Sequence, residues 1–199
     1  MLIIGLNGSP HKEGNTKFLL NAVLNKAASQ GAETTTIEVF DVLKTARNSY
    51  CLVCSNPCSG KCFNGTDMEK AFELLKQADG VVFGSPVYFG TVSAQLKAFF
   101  DMSRKLRGEK GLYNTVAAGV TVGNSKFGGQ ETTLRALHDI MLVHGMIIVG
   151  DGYYEDDCGH HGVCAQKPSD QDSSALQRAE ILGKRLVEVC KATKKLRYR

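Results

Sequence analysis

Residues Gly80–Lys97, GVVFGSPVYFGTVSAQLK, decide how this chain folds. From Gly80 to Pro86 they form a short, unbroken apolar run that closes on a proline. Such a run reads as a strand covered on both faces, because a half-exposed strand alternates apolar with polar. From Ser93 the period changes. Leu96, Phe99 and Phe100 fall on one side of a helix that reaches Ser103. The loop between the two is unusual in composition. Pro86 stiffens it, Gly90 permits close backbone approach, and Tyr88 and Phe89 offer flat apolar faces. A planar ring whose polar edge takes backbone N–H bonds suits such a loop.

The same alternation runs outward in both directions. Leu2–Leu6 is an apolar strand, and Thr16–Ala28 is a helix through Leu19, Leu20, Val23, Leu24 and Ala27. Thr34–Phe40 is β-branched and strand-like. Thr66-Asp67-Met68-Glu69 is a capping-box pattern that opens a helix to about Gln77. Thr115–Val122 and Met146–Val149 are the fourth and fifth strands, with a helix at Gln130–Val143 between them. After a Gly/Asp-rich loop, Ser173–Lys194 forms the last helix through Leu176, Ala179, Leu182, Leu186 and Cys190. Short apolar strands alternating with helices predict a parallel sheet with right-handed crossovers. The expected architecture is a single α/β domain over residues 1–199, flavodoxin-like and doubly wound, with a five-stranded parallel sheet and helices on both faces. A Cys-rich insertion at about residues 44–65 follows the second strand. No repeat or linker divides the chain.

Composition narrows the function classes. The chain has 199 residues, 43% hydrophobic and 22% charged, so one well-cored domain is expected. No apolar run reaches the ~20 residues of a membrane span. The opening MLIIGLNGSPH has neither a basic region nor a cleavage site, so a cytoplasmic protein is expected. The net charge of +4 owes much to the tail KKLRYR, which reads as a solvated helix end. With no Trp and 8% aromatic residues, no stacking platform for nucleic acid is foreseen.

Ligands of open parallel sheets bind outside the carboxyl ends of the strands. The first loop there, Gly8–Thr16 (GSPHKEGNT), opens a helix. Its free N–H groups favour an anion. Ser9, Asn15 and Thr16 can add donors, and His11 and Lys12 add positive charge. It is neither a Walker A loop nor GxGxxG, since its glycines fall at 5, 8 and 14, so a terminal monophosphate fits better than a triphosphate or dinucleotide. The loop Thr121–Glu131, TVGNSKFGGQE, can wrap the far edge of the same ring.

GSPHKEGNT, ADGVVFGSPVYFGTVSAQLKAFFD and FGGQETT together resemble the flavodoxin-like NAD(P)H-dependent FMN reductases, and with the cysteine loop between them they most resemble that family's iron–sulfur flavoproteins. The resemblance runs from Leu2 to about Gly162. It implies that Ser9, Asn15 and Thr16, with His11 beside them, hold the FMN phosphate. It implies that Pro86, Val87, Tyr88, Phe89 and Gly90 lie along the isoalloxazine, and that Gly123 and Asn124 approach from the neighbouring loop.

Cys51, Cys54, Cys58 and Cys62 (CLVCSNPCSGKC) are spaced x2, x3, x3. Such crowding favours a [4Fe–4S] cluster over zinc, which commonly takes two separated CxxC knuckles, while free thiols or disulfides remain open. The resemblance points to the cluster as well. The second gap departs from it, being x3 with Pro57 inside, where iron–sulfur members usually show x2. Cys158 and Cys164 frame CGHHGVC, too tight for standard finger spacing, and read as incidental thiols of a loop. Cys190 reads as a small core hydrophobe, and His138 and His144 as non-catalytic.

The resemblance implies an electron-transfer flavoprotein with FMN and a [4Fe–4S] cluster, exchanging electrons with a ferredoxin-like carrier or NAD(P)H and with a small-molecule acceptor, as a homodimer or homotetramer. No catalytic acid or base is nominated. Two alternatives stand beside it: an NAD(P)H-dependent FMN or quinone reductase without a cluster, and a non-enzymatic thiol or metal sensor.

Overall fold

The apolar runs lie side by side in the computed structural model, which describes residues 1–197. In chain order the elements are β1 (Leu2–Asn7), α1 (Asn15–Ser29), β2 (Glu33–Glu38), α2 (Val39–Thr45), α3 (Asp67–Gln77), β3 (Gly80–Pro86), α4 (Ala94–Met102), α5 (Arg104–Gly108), β4 (Val116–Gly123), α6 (Gln130–Val143), β5 (Ile147–Ile148), β6 (Val163–Gln166) and α7 (Ser173–Thr193). The strands pair in parallel in the order β2-β1-β3-β4-β5. This is the doubly wound arrangement expected from the alternation.

Successive strand residues point to opposite faces, and both faces are buried. Ile3, Val82, Ala118 and Val120 pack under α1 and α7. Ile4, Leu6, Val81, Phe83 and Ala117 pack on the other side, under α3, α4 and α6. The two helices on the first face touch closely because α7 carries Gly183. A Cβ there would stand 2.5 Å from the Val23 carbonyl oxygen.

Four details differ from the sequence-based expectation. The fifth sheet position is shared by two strands rather than filled by one. β4 pairs with Ile147 and Ile148 through Val116 and Ala117, then with Val163–Gln166 through Val120–Gly123. The sheet therefore has six strands. Second, β2 ends at Glu38, and Val39 and Phe40 begin a helix. Its ladder partner β1 stops at Asn7, opposite Glu38, so nothing remains to pair with. The Lys44 ammonium lies 3.9 Å from the Phe40 ring centre, an i, i+4 contact that favours the helix.

Third, the capping box is displaced by one residue. Glu69 accepts from the backbone N–H of Gly65 at 2.7 Å, and the Thr66 hydroxyl donates to the Phe63 carbonyl at 2.6 Å. Fourth, the basic tail is not wholly solvated. Arg197 is held by Asp79 at 3.1 Å and by the Thr115 hydroxyl at 3.0 Å, at the amino end of the sheet. Tyr198 and Arg199 lie outside the described residues.

His144 closes α6 in a buried niche. Its Nε2 lies 3.0 Å from the Ser103 hydroxyl and its ring packs on Phe100. Burial, aided by the nearby Arg107 charge, pushes its pKa down from 6.5 to about 4. Between those values the unfolded chain takes up a proton that the native chain refuses, so native stability falls as pH falls. Urea unfolding at pH 7 and pH 5 should show wild type losing about 2 kcal/mol more than His144→Gln over that step. Equal losses would show that His144 is not the group responsible.

Candidate functional site

The ends of β1, β3 and β4 gather three loops at one edge of the sheet, and a buried serine joins two of them. Gly8 N–H donates to the Gly84 carbonyl at 2.8 Å, and the Gly8 carbonyl accepts from the Ser93 hydroxyl at 2.6 Å. The same hydroxyl caps α4 by accepting from Leu96 N–H at 3.2 Å. Ser93 N–H in turn donates to the Ser85 hydroxyl at 3.1 Å. The β1–α1 loop and the β3–α4 loop are thus held as one unit.

The head of α1 presents the first part of the site. Its N-cap is Gly14, no side chain caps it, and no acidic residue stands in its first turn. The N–H groups of Asn15, Thr16 and Lys17 have no acceptor among the described residues. Ser9 is buried and shapes the loop, accepting from His11 N–H at 3.1 Å while its own N–H donates to Asn7 Oδ1 at 3.1 Å. Thr16 is buried against Gly84. His11 is exposed. Asn15 Oδ1 is already occupied, accepting from Ser169 N–H at 2.7 Å, so only its amide N–H₂ is left to donate.

The two lysines nearest this turn are both paired. Lys17 meets Glu38 at 2.6 Å, with Asn7 on the other carboxylate oxygen at 2.7 Å, and Lys12 meets Asp41. The seat at the helix head is therefore made of backbone dipoles more than of formal charge.

The β3–α4 loop is a tight turn. Tyr88 and Thr91 exchange backbone hydrogen bonds at 3.0 and 3.2 Å. Phe89 and Gly90 between them have φ of +51° and +75°. Positive φ at both central positions makes a type I′ turn, which costs about 1 kcal/mol or more at Phe89. The Phe89 ring stands fully in solvent at the tip of this turn. Val87 N–H donates to the Val122 carbonyl at 2.9 Å, and the Thr132 hydroxyl donates to the Gly90 carbonyl at 2.8 Å, so this turn is tied to β4 and α6. On the adjoining loop Asn124 is exposed and Gly123 is buried beneath the Gln130 side chain.

The predicted cofactor residues thus fall on one sheet edge. Three residues that hold them there were not foreseen: Ser93, Ser169 and Gln130. Ser169 and Asn15 are 154 positions apart, and no local pattern links them.

The four-cysteine loop lies elsewhere, between α2 and α3. Cys54 is exposed, and Cys51, Cys58 and Cys62 are half-buried. Arg104 of α5 donates to the Ser55 carbonyl at 3.3 Å, Arg47 donates to the Lys61 carbonyl, and Phe63 anchors the loop edge-on to Phe72, ring centres 4.9 Å apart. Val53 N–H donates to the Cys51 sulfur at 3.4 Å. Burial pushes the Cys62 thiol up, and the charges of Cys58, Cys54 and Cys51 add to the rise, so the four sulfurs share one electrostatic neighbourhood. No three Cys, His, Asp or Glu side chains among the described residues converge on a single-ion site. Four free thiols on one short loop suit a compact thiolate-bound group.

The segment with Cys158, His160 and His161 is pinned rather than loose. Buried Asp151 accepts from His160 N–H at 2.6 Å and from Arg178 Nε at 2.6 Å, and Arg178 also binds Asp156 and Asp157 at 3.1 Å. Cys164 lies in β6, not in the loop, and burial raises its thiol to about 11. A cleft of about 1050 Å³ opens beside it, lined by Lys126, Phe127, Gln130, Lys167 and Ser173, among others. None of the predicted cofactor residues lines it. Unpaired donors, not cleft volume, mark the site at the head of α1.

The profile of a family described as NADPH-dependent FMN reductase matches residues 1–161. An iron–sulfur flavoprotein of Methanocaldococcus jannaschii is 43% identical over 201 aligned positions, covering 98% of this chain and 100% of the relative. An iron–sulfur flavoprotein of Methanosarcina thermophila is 36% identical over 198 positions, covering 99% of each. Among solved structures, a WrbA-like flavodoxin from Agrobacterium tumefaciens has a TM-score of 0.67 at 23% identity, covering 96% of this chain and 97% of its own. That likeness carries the fold alone; the profile and the two sequence relatives carry more. The chain belongs to the NADPH-dependent FMN reductase family, and within it to the iron–sulfur flavoproteins.

Proposed function

We propose that this FMN-dependent oxidoreductase seats the FMN phosphate at the head of α1 and lays the isoalloxazine along Pro86–Gly90. One observation carries the reading: an uncapped helix head with no acidic residue in its first turn, which opens beside a strained aromatic turn on the same sheet edge. Backbone N–H groups of Asn15, Thr16 and Lys17 bind the phosphate, and Ser9, the Asn15 amide and the Thr16 hydroxyl complete the seat, with His11 at its rim. Val87, Tyr88 and Phe89 line the ring, and Gly123 and Asn124 flank it from the next loop. Bound FMN supplies redox chemistry in one- or two-electron steps. The chain's own part is to orient the ring and present backbone donors to its polar edge; no side-chain acid or base is assigned.

Cys51, Cys54, Cys58 and Cys62 hold a [4Fe–4S] cluster, which supplies single-electron transfer. The shared environment of the four thiols, the N–H bond to the Cys51 sulfur and the likeness to proteins named iron–sulfur flavoproteins support this. The protein exchanges electrons with a ferredoxin-like carrier or NAD(P)H and passes them to a small-molecule acceptor, as a homodimer or homotetramer in the cytoplasm. The second reading is a cluster-free NAD(P)H-dependent FMN or quinone reductase, favoured by the likeness to relatives named NAD(P)H dehydrogenase (quinone).

Anaerobically purified protein should show flavin bands above a broad absorbance that dithionite bleaches, with matching iron and sulfide. Flavin bands alone, bleached rapidly by NAD(P)H, would favour the second reading. Cys54→Ala should lose iron and sulfide while keeping FMN, because the two sites lie on different loops; equal loss of FMN would count against separate sites. Ser9→Asp should weaken FMN binding at least about tenfold in a fluorescence titration, by setting a carboxylate against the phosphate. Unchanged affinity would remove that loop from the site.

A further inference from the structure

The loop between β4 and α6 folds around one buried side chain. Gln130 opens α6 and is 6% exposed. Its Nε2 donates to the Ser125 carbonyl at 2.7 Å and to the Ala165 carbonyl of β6 at 3.4 Å. Its Oε1 accepts from Gly128 N–H at 2.8 Å. The opposite orientation of the amide would set oxygen against two carbonyls, so the network fixes one orientation. The backbone of the same residue is held as well, its carbonyl accepting from the buried Thr121 hydroxyl at 3.1 Å. Gly123 provides the space beneath. A Cβ there would stand 2.5 Å from Nε2.

The clasp therefore closes the loop from Gly123 to Gly129 into a ring around one amide and staples it to β6. The loop's far end abuts the Pro86–Gly90 turn, where a Cβ on Gly129 would lie 3.0 Å from Gly90 Cα and 3.3 Å from Val87 Cγ1. Any shift of the clasp moves Gly123, Asn124 and that turn together. We propose that Gln130 is a positioning residue for the flavin: without touching the ring, it sets the shape of the two loops that do. This rests on the FMN reading given above. Uncapped donors in a loop bind well only if the loop is already in its bound shape, because ordering it on binding costs affinity.

The test uses the full chain and three variants, with FMN itself as probe. Gln130→Leu removes both ends of the amide. Gln130→Glu keeps the acceptor for Gly128 but places an oxygen against the carbonyls of Ser125 and Ala165. Gly123→Ala leaves Gln130 in the sequence and lifts its amide from the seat. Gln130→Leu and Gly123→Ala should each raise the FMN Kd about tenfold, and Gln130→Glu should raise it further. All three should shift the midpoint potential of the bound flavin relative to wild type. A fall in thermal midpoint with FMN affinity within about twofold of wild type and the potential unchanged would overturn the role and leave Gln130 a purely stabilising residue. Should Gln130→Leu fail to fold, Gln130→Glu decides by the same two readouts, since Gly123 itself flanks the ring. A wild-type chain that bound no FMN would overturn the site and this role together; variants that matched a binding wild type would overturn the role alone.

Discussion

The hydroxyl of Ser93 is the contact on which the rest of the site depends. It is fully buried, caps α4 and donates to the carbonyl of Gly8 across 85 positions of sequence. A buried hydroxyl with both a donor and an acceptor partner is satisfied, and losing it would leave two buried groups unpaired. Through it the β1–α1 loop takes its place from β3, buried over all but its last residue, and from α4. Rigidity at the sheet edge is thus drawn from the core rather than from the loops themselves. The uncapped turn of α1 and the strained turn at Phe89 both stand on that support.

Much of this was legible in the sequence, for identifiable reasons. Strands buried on both faces leave unbroken apolar runs, so Leu2–Asn7, Gly80–Pro86 and Val116–Gly123 were visible almost to the residue. The parallel, doubly wound sheet followed from the alternation. The short strand Val163–Gln166 was not visible, because four residues behind a Gly/His/Cys segment carry too little periodicity. The helix at Val39 was hidden by β-branched and aromatic residues that favour strands; the end of the β1 ladder overrode that preference. Ser93, Ser169 and Gln130 escaped notice because small polar residues act here through partners far away in the chain, and single-sequence patterns report only near neighbours.

The sulfur-rich loop shows the reverse balance. Its spacing pointed to thiolate chemistry, with a cluster favoured over other metals and free thiols, while its support left no trace in the sequence. Helix α5, with Arg104 reaching the Ser55 carbonyl, supplies one brace, and the aromatic pair Phe63–Phe72 supplies the other. Between those braces the loop makes few bonds, most of them exposed. A group that binds four thiolates would therefore contribute much of the order of this segment, as metal binding does wherever the protein alone leaves the ligands loosely held.

The pairing of Lys12 and Lys17 with Asp41 and Glu38 has a consequence for selectivity. A seat whose cations are already neutralised casts little field into the surrounding water, since dipoles fade faster with distance than charges do. It neither steers anions from afar nor gathers them indiscriminately. Ionic strength then has little leverage over what it retains, because screening acts mainly on interactions longer than about 10 Å. Discrimination among phosphorylated molecules is left to close fit against the turn and the ring-facing loops.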